Sequence, residues 1–397
     1  MILLFIFRVF AEIILKFLNF KIKDVSLVTI SATAQQTNIR LQQICHWPWQ
    51  YMLLMKRDWR NTLATRVQYI KFYNNVWLVA NDLILGVAFG LFLLDNVSIL
   101  SNTCNTLIKD YAIHTFESSV VWLMGWPAGL KLNSFLDKFI GEMFLWLIGI
   151  WTVFVGNFVK MMPLIVGIVG LSGIFGASMI IALIGDLLSF FTFHIFIFYI
   201  VAARIFNWQH RILLSLLHLF GGKKYNVLRK RLDSSDYDLD QLLLGTILFT
   251  LLSFLIPTVL VYYVLFAGSR IFVVFLQVGL ELVLSGLNHF PLFAIMLRFK
   301  DPGRLPGGIQ FSLKSESQQP VFEIKNIPIS GSAVFSPFIN LCHRYFTHHI
   351  SKAYLMSVLK GDTISPISHL MMLPKLDDSR PTLFDFWLFL KYNFTSE

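Results

Sequence analysis

One uncharged stretch, residues 242–266, constrains the fold more than any other part of the chain. It holds 25 residues without a charged side chain, and an α-helix of that length is about 37 Å long. Because the hydrocarbon core of a bilayer is about 30 Å thick, the stretch is predicted to be a membrane-spanning helix. A cluster of basic residues precedes it, which is typical of a cytosolic flank: Lys223, Lys224, Arg229, Lys230 and Arg231.

The rest of the chain also has the composition of a membrane protein. Of its 397 residues, 56% are hydrophobic and 14% are charged, against about 25% charged in soluble domains. Five further apolar stretches predict an all-α, polytopic membrane protein with about six transmembrane helices plus interfacial helices: 76–94, 139–155, 163–184, 187–206 and 271–287. Tight turns are predicted at Gly185-Asp186 and at Gly268-Ser269-Arg270, and a long connector at 95–138.

The first twenty residues predict an amphipathic helix in the membrane interface. Arg8, Glu12 and Lys16 are four residues apart and share one helical face as an ion-pair stripe. The remaining residues of the segment are apolar, as in helices that lie on a membrane. Whether this helix crosses the membrane stays open.

The charge distribution predicts the domain organisation and its orientation. We expect an interfacial segment and polar linker at 1–55, a multi-pass domain at 56–297 with a basic loop at 204–241, and a tail at 298–397. Lysine and arginine concentrate in 56–71 and 204–241, so both segments and the tail are predicted to be cytosolic. A net charge of +10 in loops beside the membrane suits anionic lipids, and we expect no nucleic acid partner.

Two carboxylates within predicted spans need a partner. Glu281 lies mid-span, where a charge costs roughly 2.5–3.5 kcal/mol, so it is expected at a contact between helices. Asp82 lies closer to a membrane face, and a helix-packing contact is favoured there as well. For Glu281, a place in a lipid-headgroup path is the alternative. Glycines at every third position are also expected to let another backbone approach closely: Gly167, Gly170, Gly173 and Gly176.

Few residues outside the spans suggest chemistry. Asp236 and Asp238 have the spacing with which paired carboxylates hold a metal–nucleotide, but acids before a helix also complement its positive end, which is the favoured interpretation. Arg304 lies in a turn-rich loop at 301–309 that either receives a phosphate or docks a neighbouring subunit. Because no catalytic triad, phosphate-binding loop or metal box occurs, we predict no catalytic residue, no metal and no cofactor. The basic cluster and Arg304 are the predicted partner- or headgroup-binding residues.

Four of these stretches, in order, resemble one family. They are RVQYIKFYNNVWLVANDLILGVAFGLFLLDN at 66–96, GLKLNSFLDKFIGEMFLWLIGIW at 129–151, the segment 223–266, and HFPLFAIMLRFKDPGRLPGGIQF at 289–311. Together they are similar to the PIG-Q family of the glycosylphosphatidylinositol N-acetylglucosaminyltransferase complex, over roughly residues 45–311.

The resemblance implies a multi-pass subunit in the endoplasmic reticulum membrane. That complex transfers N-acetylglucosamine from UDP-GlcNAc to phosphatidylinositol in the first step of GPI-anchor biosynthesis. Catalysis is assigned to the PIG-A subunit, and PIG-Q works with PIG-C, PIG-H and PIG-P as a stabilising subunit. We therefore predict a noncatalytic scaffold. Two alternatives stay open: a membrane-embedded glycosyltransferase using Asp236 and Asp238, or a phospholipid transporter or scramblase with a polar groove near Glu281 and Asp82.

Overall fold

The computed structural model describes residues 2–23, 25–55, 63–126, 129–226, 228–302, 305–314, 321–349, 351–362 and 382–394. These are mostly helical, which confirms the all-α class. The α-helices are α1 Ile2–Leu18, α2 Leu27–Ile30, α3 Ala32–Met55, α4 Leu63–Asp95, α5 Val97–Leu107, α6 Thr115–Met124, α7 Ser134–Lys160, α8 Met162–Ser172, α9 Ala177–Phe191, α10 Phe193–Phe220, α11 Leu239–His289, α12 Leu292–Lys300, α13 Gly331–Val334, α14 Ser336–His349, α15 Lys352–Leu359 and α16 Leu383–Phe394.

Two antiparallel β-hairpins interrupt the helices, and the sequence patterns did not predict them. The first pairs β1 Lys223–Asn226 with β2 Arg231–Ser234. The second pairs β3 Pro306–Lys314 with β4 Val321–Pro328. Because β3 begins at Pro306, the predicted turn-rich loop at 301–309 is wrong for its second half.

Three described helices are long and apolar enough to cross a membrane: Gln68–Asp95 within α4, all of α7, and α11. A fourth span results if α9 and α10, which meet at an angle of 47°, are taken together. The predicted spans at 76–94 and 139–155 thus correspond to α4 and α7. The count of about six is not confirmed.

The predicted fifth and sixth spans form a single helix of 51 residues, α11. The turn predicted at Gly268-Ser269-Arg270 is wrong, since Ser269 Oγ donates to the carbonyl oxygen of Leu265 one helical turn earlier at 2.8 Å. A glycine inside a helix costs only about 1 kcal/mol. That cost is small compared with the stabilisation that α11 gains from packing. The helix runs antiparallel first along α10 and then along α9.

The turn predicted at Gly185-Asp186 is also wrong, because both residues lie inside α9. The chain breaks earlier, in a 3₁₀ turn at Gly173–Phe175 that is followed by Gly176 at φ +123°, and later at Thr192. The Asp186 carboxylate accepts hydrogen bonds from the backbone amides of Ala32 and Thr33, at 2.9 and 3.0 Å. Asp186 therefore caps the start of α3, which the sequence around it does not reveal.

The glycine repeat does bring two backbones together. A Cβ atom added to Gly173 would lie 2.3 Å from the carbonyl oxygen of Gly86, and one added to Gly90 would lie 2.6 Å from that of Gly170. A Cβ at Gly167, by contrast, would meet nothing within 4 Å. The close approach is confirmed for three of the four predicted glycines, and a glycine pair on α4 supplies the other surface.

The N-terminal helix α1 turns Arg8 inward and half-buries Glu12, whereas Lys16, the third residue of the predicted stripe, is exposed. Arg8 and Glu12 form the predicted ion pair at 3.0 Å, but Arg8 is buried and donates to the carbonyl oxygen of Cys45 on α3. The apolar residues of the opposite face are exposed: Ile6, Phe7, Phe10, Ile13 and Phe17. The buried face of α1 is therefore mixed, with Ala11 and Leu15 beside Arg8, and its exposed face is mostly apolar.

The main apolar core lies between α6, α7, α10 and α11. Phe144, Tyr199 and Phe266 are its most buried large side chains. Val120 of α6 is fully buried in it, so the predicted connector at 95–138 is largely helical and contributes to the core. It comprises α5, a π-helix at Ile108–His114 and α6.

Candidate functional site

Asp82 lies at the centre of a buried polar network that joins four helices. Its Oδ2 atom accepts from Nη2 of Arg40 at 2.7 Å and from the Ser178 hydroxyl at 2.6 Å. Its Oδ1 atom accepts from the backbone amide of Ser178 at 2.8 Å. Gln36 and Asn288 complete the network with two reciprocal amide hydrogen bonds of 2.9 and 3.0 Å. The prediction of a helix contact at Asp82 is thereby supported with named partners.

These contacts form a closed circuit through α3, α4 and α9. Asp82 on α4 accepts from the backbone amide of Ser178 in the first turn of α9, where the helix dipole favours a negative charge. Asp186 on α9 binds the first amides of α3. Arg40 on α3 then returns to Asp82. Each of the three helices is therefore fixed by a charged group from the next.

The electrostatics of this circuit are those of a permanent ion pair. Burial lowers the pKa of the Arg40 guanidinium, and the Asp82 carboxylate opposes that shift. Arginine stays protonated in proteins. The network is suited to holding helices together, because both oxygens of the Asp82 carboxylate accept hydrogen bonds from neighbouring helices.

Glu281 is also buried, but at a different place. It lies on α11 and lines a cavity of about 550 Å³. Burial and the nearby Glu281 carboxylate raise the pKa of Tyr345 on α14, whose hydroxyl stays protonated. The structure thus separates Asp82 from Glu281, and they do not line one common cavity among the described residues.

The predicted basic cluster is the β1–β2 hairpin. Lys223 and Lys224 lie on β1, Arg229 and Lys230 in the turn, and Arg231 on β2. Asn226 accepts hydrogen bonds through its Oδ1 atom from the amides of the turn and so fixes its shape. All five basic side chains are exposed.

The hairpin has an unequal charge pattern. Arg231 pairs with Asp233 at 2.7 Å, whereas the described structure shows no ion pair for the other four cations. Leu228 at the tip is 95% exposed. An exposed tip with four available cations is a surface suited to an acidic partner or to anionic headgroups.

The acidic residues after the hairpin face solvent. Asp238 is the N-cap residue of α11 but makes no side-chain cap, and both Asp236 and Asp238 are exposed. Within the described ranges, no group of three or more His, Cys, Asp or Glu is arranged to hold a metal ion. Arg304, the remaining predicted binding residue, lies outside the described residues.

Several residues of the buried sites were missed in the sequence. Gln36, Arg40 and Gln43 are spaced i, i+4, i+7, which places them on one helical face, and this spacing was a usable signal. Ser178, Asn288 and Arg270 gave no such signal, because the residues one helical turn away from each do not form a polar face.

The fold and these sites define a multi-pass α-helical membrane protein whose helices are held by buried polar contacts. The chain belongs to the family described as "N-acetylglucosaminyl transferase component (Gpi1)", whose model matches residues 34–307. The resemblance stated from the sequence is thereby confirmed.

Known relatives match along most of the chain. It is 42% identical over 371 residues to the fission yeast (Schizosaccharomyces pombe) "N-acetylglucosaminyl-phosphatidylinositol biosynthetic protein gpi1", covering 91% of this chain and 57% of that protein. It is 33% identical over 388 residues to the Saccharomyces cerevisiae "Phosphatidylinositol N-acetylglucosaminyltransferase subunit GPI1", covering 91% and 63%. The human "subunit Q" of the same enzyme is 40% identical over 229 residues. The chain thus spans about three fifths of the two yeast proteins. No solved structure matches it.

Proposed function

We propose that this chain is a noncatalytic, stabilising subunit of the complex that transfers N-acetylglucosamine from UDP-GlcNAc to phosphatidylinositol, the first step of GPI-anchor biosynthesis. The observation that carries the proposal is the 42% identity over 91% of the chain to a relative named for N-acetylglucosaminyl-phosphatidylinositol biosynthesis. A second relative is named as a subunit of the transferase. The membrane in question is that of the endoplasmic reticulum.

The described residues support a noncatalytic role. Both carboxylate oxygens of Asp82 are engaged in hydrogen bonds between helices. Asp236 and Asp238 are exposed, with no third ligand arranged beside them in the described ranges. An active site for a sugar nucleotide needs groups that hold a diphosphate and stabilise its leaving charge. That work falls to a PIG-A-like catalytic subunit.

The β1–β2 hairpin is the proposed docking surface for that subunit. Its four cations without an ion pair to any described residue are exposed on a short, turn-stabilised hairpin that extends from α10 and α11. Basic segments beside a membrane favour the cytosolic side and attract anionic phosphatidylinositol. The hairpin would therefore hold the catalytic subunit over its lipid substrate, while PIG-C-, PIG-H- and PIG-P-like subunits pack against the helices.

A charge-reversal series tests the docking surface. Lys223, Lys224, Arg229 and Lys230 are changed to Glu together, leaving the Arg231–Asp233 pair intact. The complex is then purified from membranes through a tag on this chain. Recovery of the catalytic subunit and synthesis of N-acetylglucosaminyl-phosphatidylinositol are both expected to fall.

The matched control is Lys109→Glu with Lys131→Glu, two exposed lysines far from the hairpin in sequence. This control should leave recovery and synthesis unchanged. If the quadruple variant behaves like the control in both measurements, the hairpin is not the docking surface. If the catalytic subunit never copurifies with the unaltered chain, the proposed subunit role fails.

A further inference from the structure

A cavity of about 550 Å³ lies between α9, α10 and α11 and is closed on one side by residues near the start of α3. The residues that line it differ in how exposed they are. Arg270 and Glu281 are each 5% exposed, whereas Ile30 and Phe193 are 64% and 50% exposed. The cavity therefore has Arg270 and Glu281 at its base, beside buried apolar residues such as Ala182 and Leu284, and its rim is apolar.

Arg270 is a buried cation for which the described part of the chain supplies no carboxylate counter-charge. Its guanidinium lies over the ring of Phe196 at 4.7 Å. The structure shows no hydrogen bond or ion pair to it among the described residues, and its Nε atom is buried without an acceptor. A buried, unpaired charge is costly, and in membrane helices such residues are found beside a partner or a substrate path.

Glu281 cannot be the missing counter-charge. It is eleven residues from Arg270 on the same helix, which places the two about 16 Å apart along the axis. Eleven residues are also close to three full turns, so both side chains are on one side of α11. The cavity thus extends along α11 from Arg270 to Glu281, with Gln277 between them.

We propose that this cavity binds a membrane phospholipid, with the lipid phosphodiester at Arg270. Guanidinium groups match phosphate oxygens with paired hydrogen bonds. Gln277 and Glu281 offer hydrogen-bond acceptors to headgroup hydroxyl or ammonium groups, and Phe193 and Ile30 contact the acyl chains. This inference goes beyond the scaffold role and does not depend on it, because it concerns lipid held by this chain in the absence of any other subunit.

The test measures phospholipid retained by the full chain. The chain is purified in detergent, and lipid phosphorus is quantified per chain, as is cross-linking to phospholipids that carry a photoreactive acyl chain. Arg270→Gln is expected to lower retention about tenfold or more, since a charge-assisted hydrogen bond is lost. Arg270→Lys should restore most of it. Arg344→Gln, at an exposed arginine, is the control and should have no effect.

A second variant guards against misfolding at Arg270. Gly185 lines the cavity, and a Cβ added there meets nothing within 4 Å. Gly185→Leu should fill the space while keeping α9 intact, so lipid retention and cross-links to residues 25–30 should both fall. If Arg270→Gln and Gly185→Leu retain lipid and cross-link as the unaltered chain does, the proposal is wrong.

The headgroup is identified by supplying phosphatidylinositol, phosphatidylserine and phosphatidylcholine in separate arms. Preferential retention of any one supports the site and names its ligand, provided that Arg270→Gln abolishes the preference. Equal retention of all three, unchanged by Arg270→Gln, overturns it.

Discussion

Removing the Asp82 carboxylate should be among the most destabilising single changes in the chain. In Asp82→Ala, the guanidinium of Arg40 stays buried at 9% exposure without its ion pair, and the amide of Ser178 loses its acceptor. Breaking a buried pair by deleting one partner costs about 3–5 kcal/mol. An ordinary hydrogen bond between membrane helices is worth about 0.6 kcal/mol and rarely more than about 1.7. The expected loss for Asp82→Ala is therefore several times that for Ser178→Ala, which keeps the Arg40–Asp82 pair.

The assay is an SDS unfolding titration of the purified full chain, followed by circular dichroism. Asp82→Ala should lower the free energy of unfolding by about 3–5 kcal/mol and Ser178→Ala by about 0.6–1.7 kcal/mol. The double variant Arg40→Met with Asp82→Leu removes both charges together. Its loss of stability should be clearly smaller than the sum of the losses measured for Arg40→Met and Asp82→Leu alone, because no charge is left buried.

Two results would refute this reasoning. A loss below about 1 kcal/mol for Asp82→Ala would mean that the circuit does not hold α3, α4 and α9 together. A double variant as unstable as the two single changes combined would mean that Arg40 and Asp82 do not act as a pair.

Three further predictions follow from the packing and the exposed tip. Gly173→Ala places a Cβ atom 2.3 Å from the carbonyl oxygen of Gly86 and should lower the SDS midpoint strongly, whereas Gly167→Ala, which meets nothing within 4 Å, should not; equal midpoints would contradict the close approach. Asp186→Ala removes the cap of α3 and should cost about 0.5–2 kcal/mol in the same titration; no loss would mean that the cap is idle. Leu228→Cys at the 95% exposed tip, in a chain whose three cysteines are replaced, should react with an impermeant maleimide in sealed microsomes; reaction only after permeabilisation would place the hairpin in the lumen.

The class of fold was predictable because long apolar runs constrain the chain strongly. The stretches at 76–94 and 139–155 have no strong competing signal, and α4 and α7 contain them. The glycine repeat at 170–176 predicted a backbone approach because only small residues permit one.

The turns were not predictable from local signals. Gly268-Ser269-Arg270 and Gly185-Asp186 have the composition of turns, yet tertiary contacts keep both within helices. Asp186 is polar because it caps a helix that is 154 residues away in sequence. Arg270 is likewise explained by tertiary structure, because it lines a cavity that no local sequence pattern reveals.

The hairpins were missed for a related reason. The strand Lys223–Asn226 is short and mostly polar, so no alternation of apolar residues predicts it. The role of the Asn226 side chain in the turn can be recognised only from the structure. The basic cluster was found by its charge, which is the property that the proposed docking uses.

The most direct test of a noncatalytic role is the transfer rate per assembled complex when Asp236 and Asp238 are both changed to Asn. The complex is purified through its catalytic subunit, its amount is measured, and transfer from UDP-GlcNAc to phosphatidylinositol is followed. If the chain is noncatalytic, the rate per complex is unchanged. A fall of a hundredfold or more in that rate, with the complex intact, would show that this chain takes part in the chemistry.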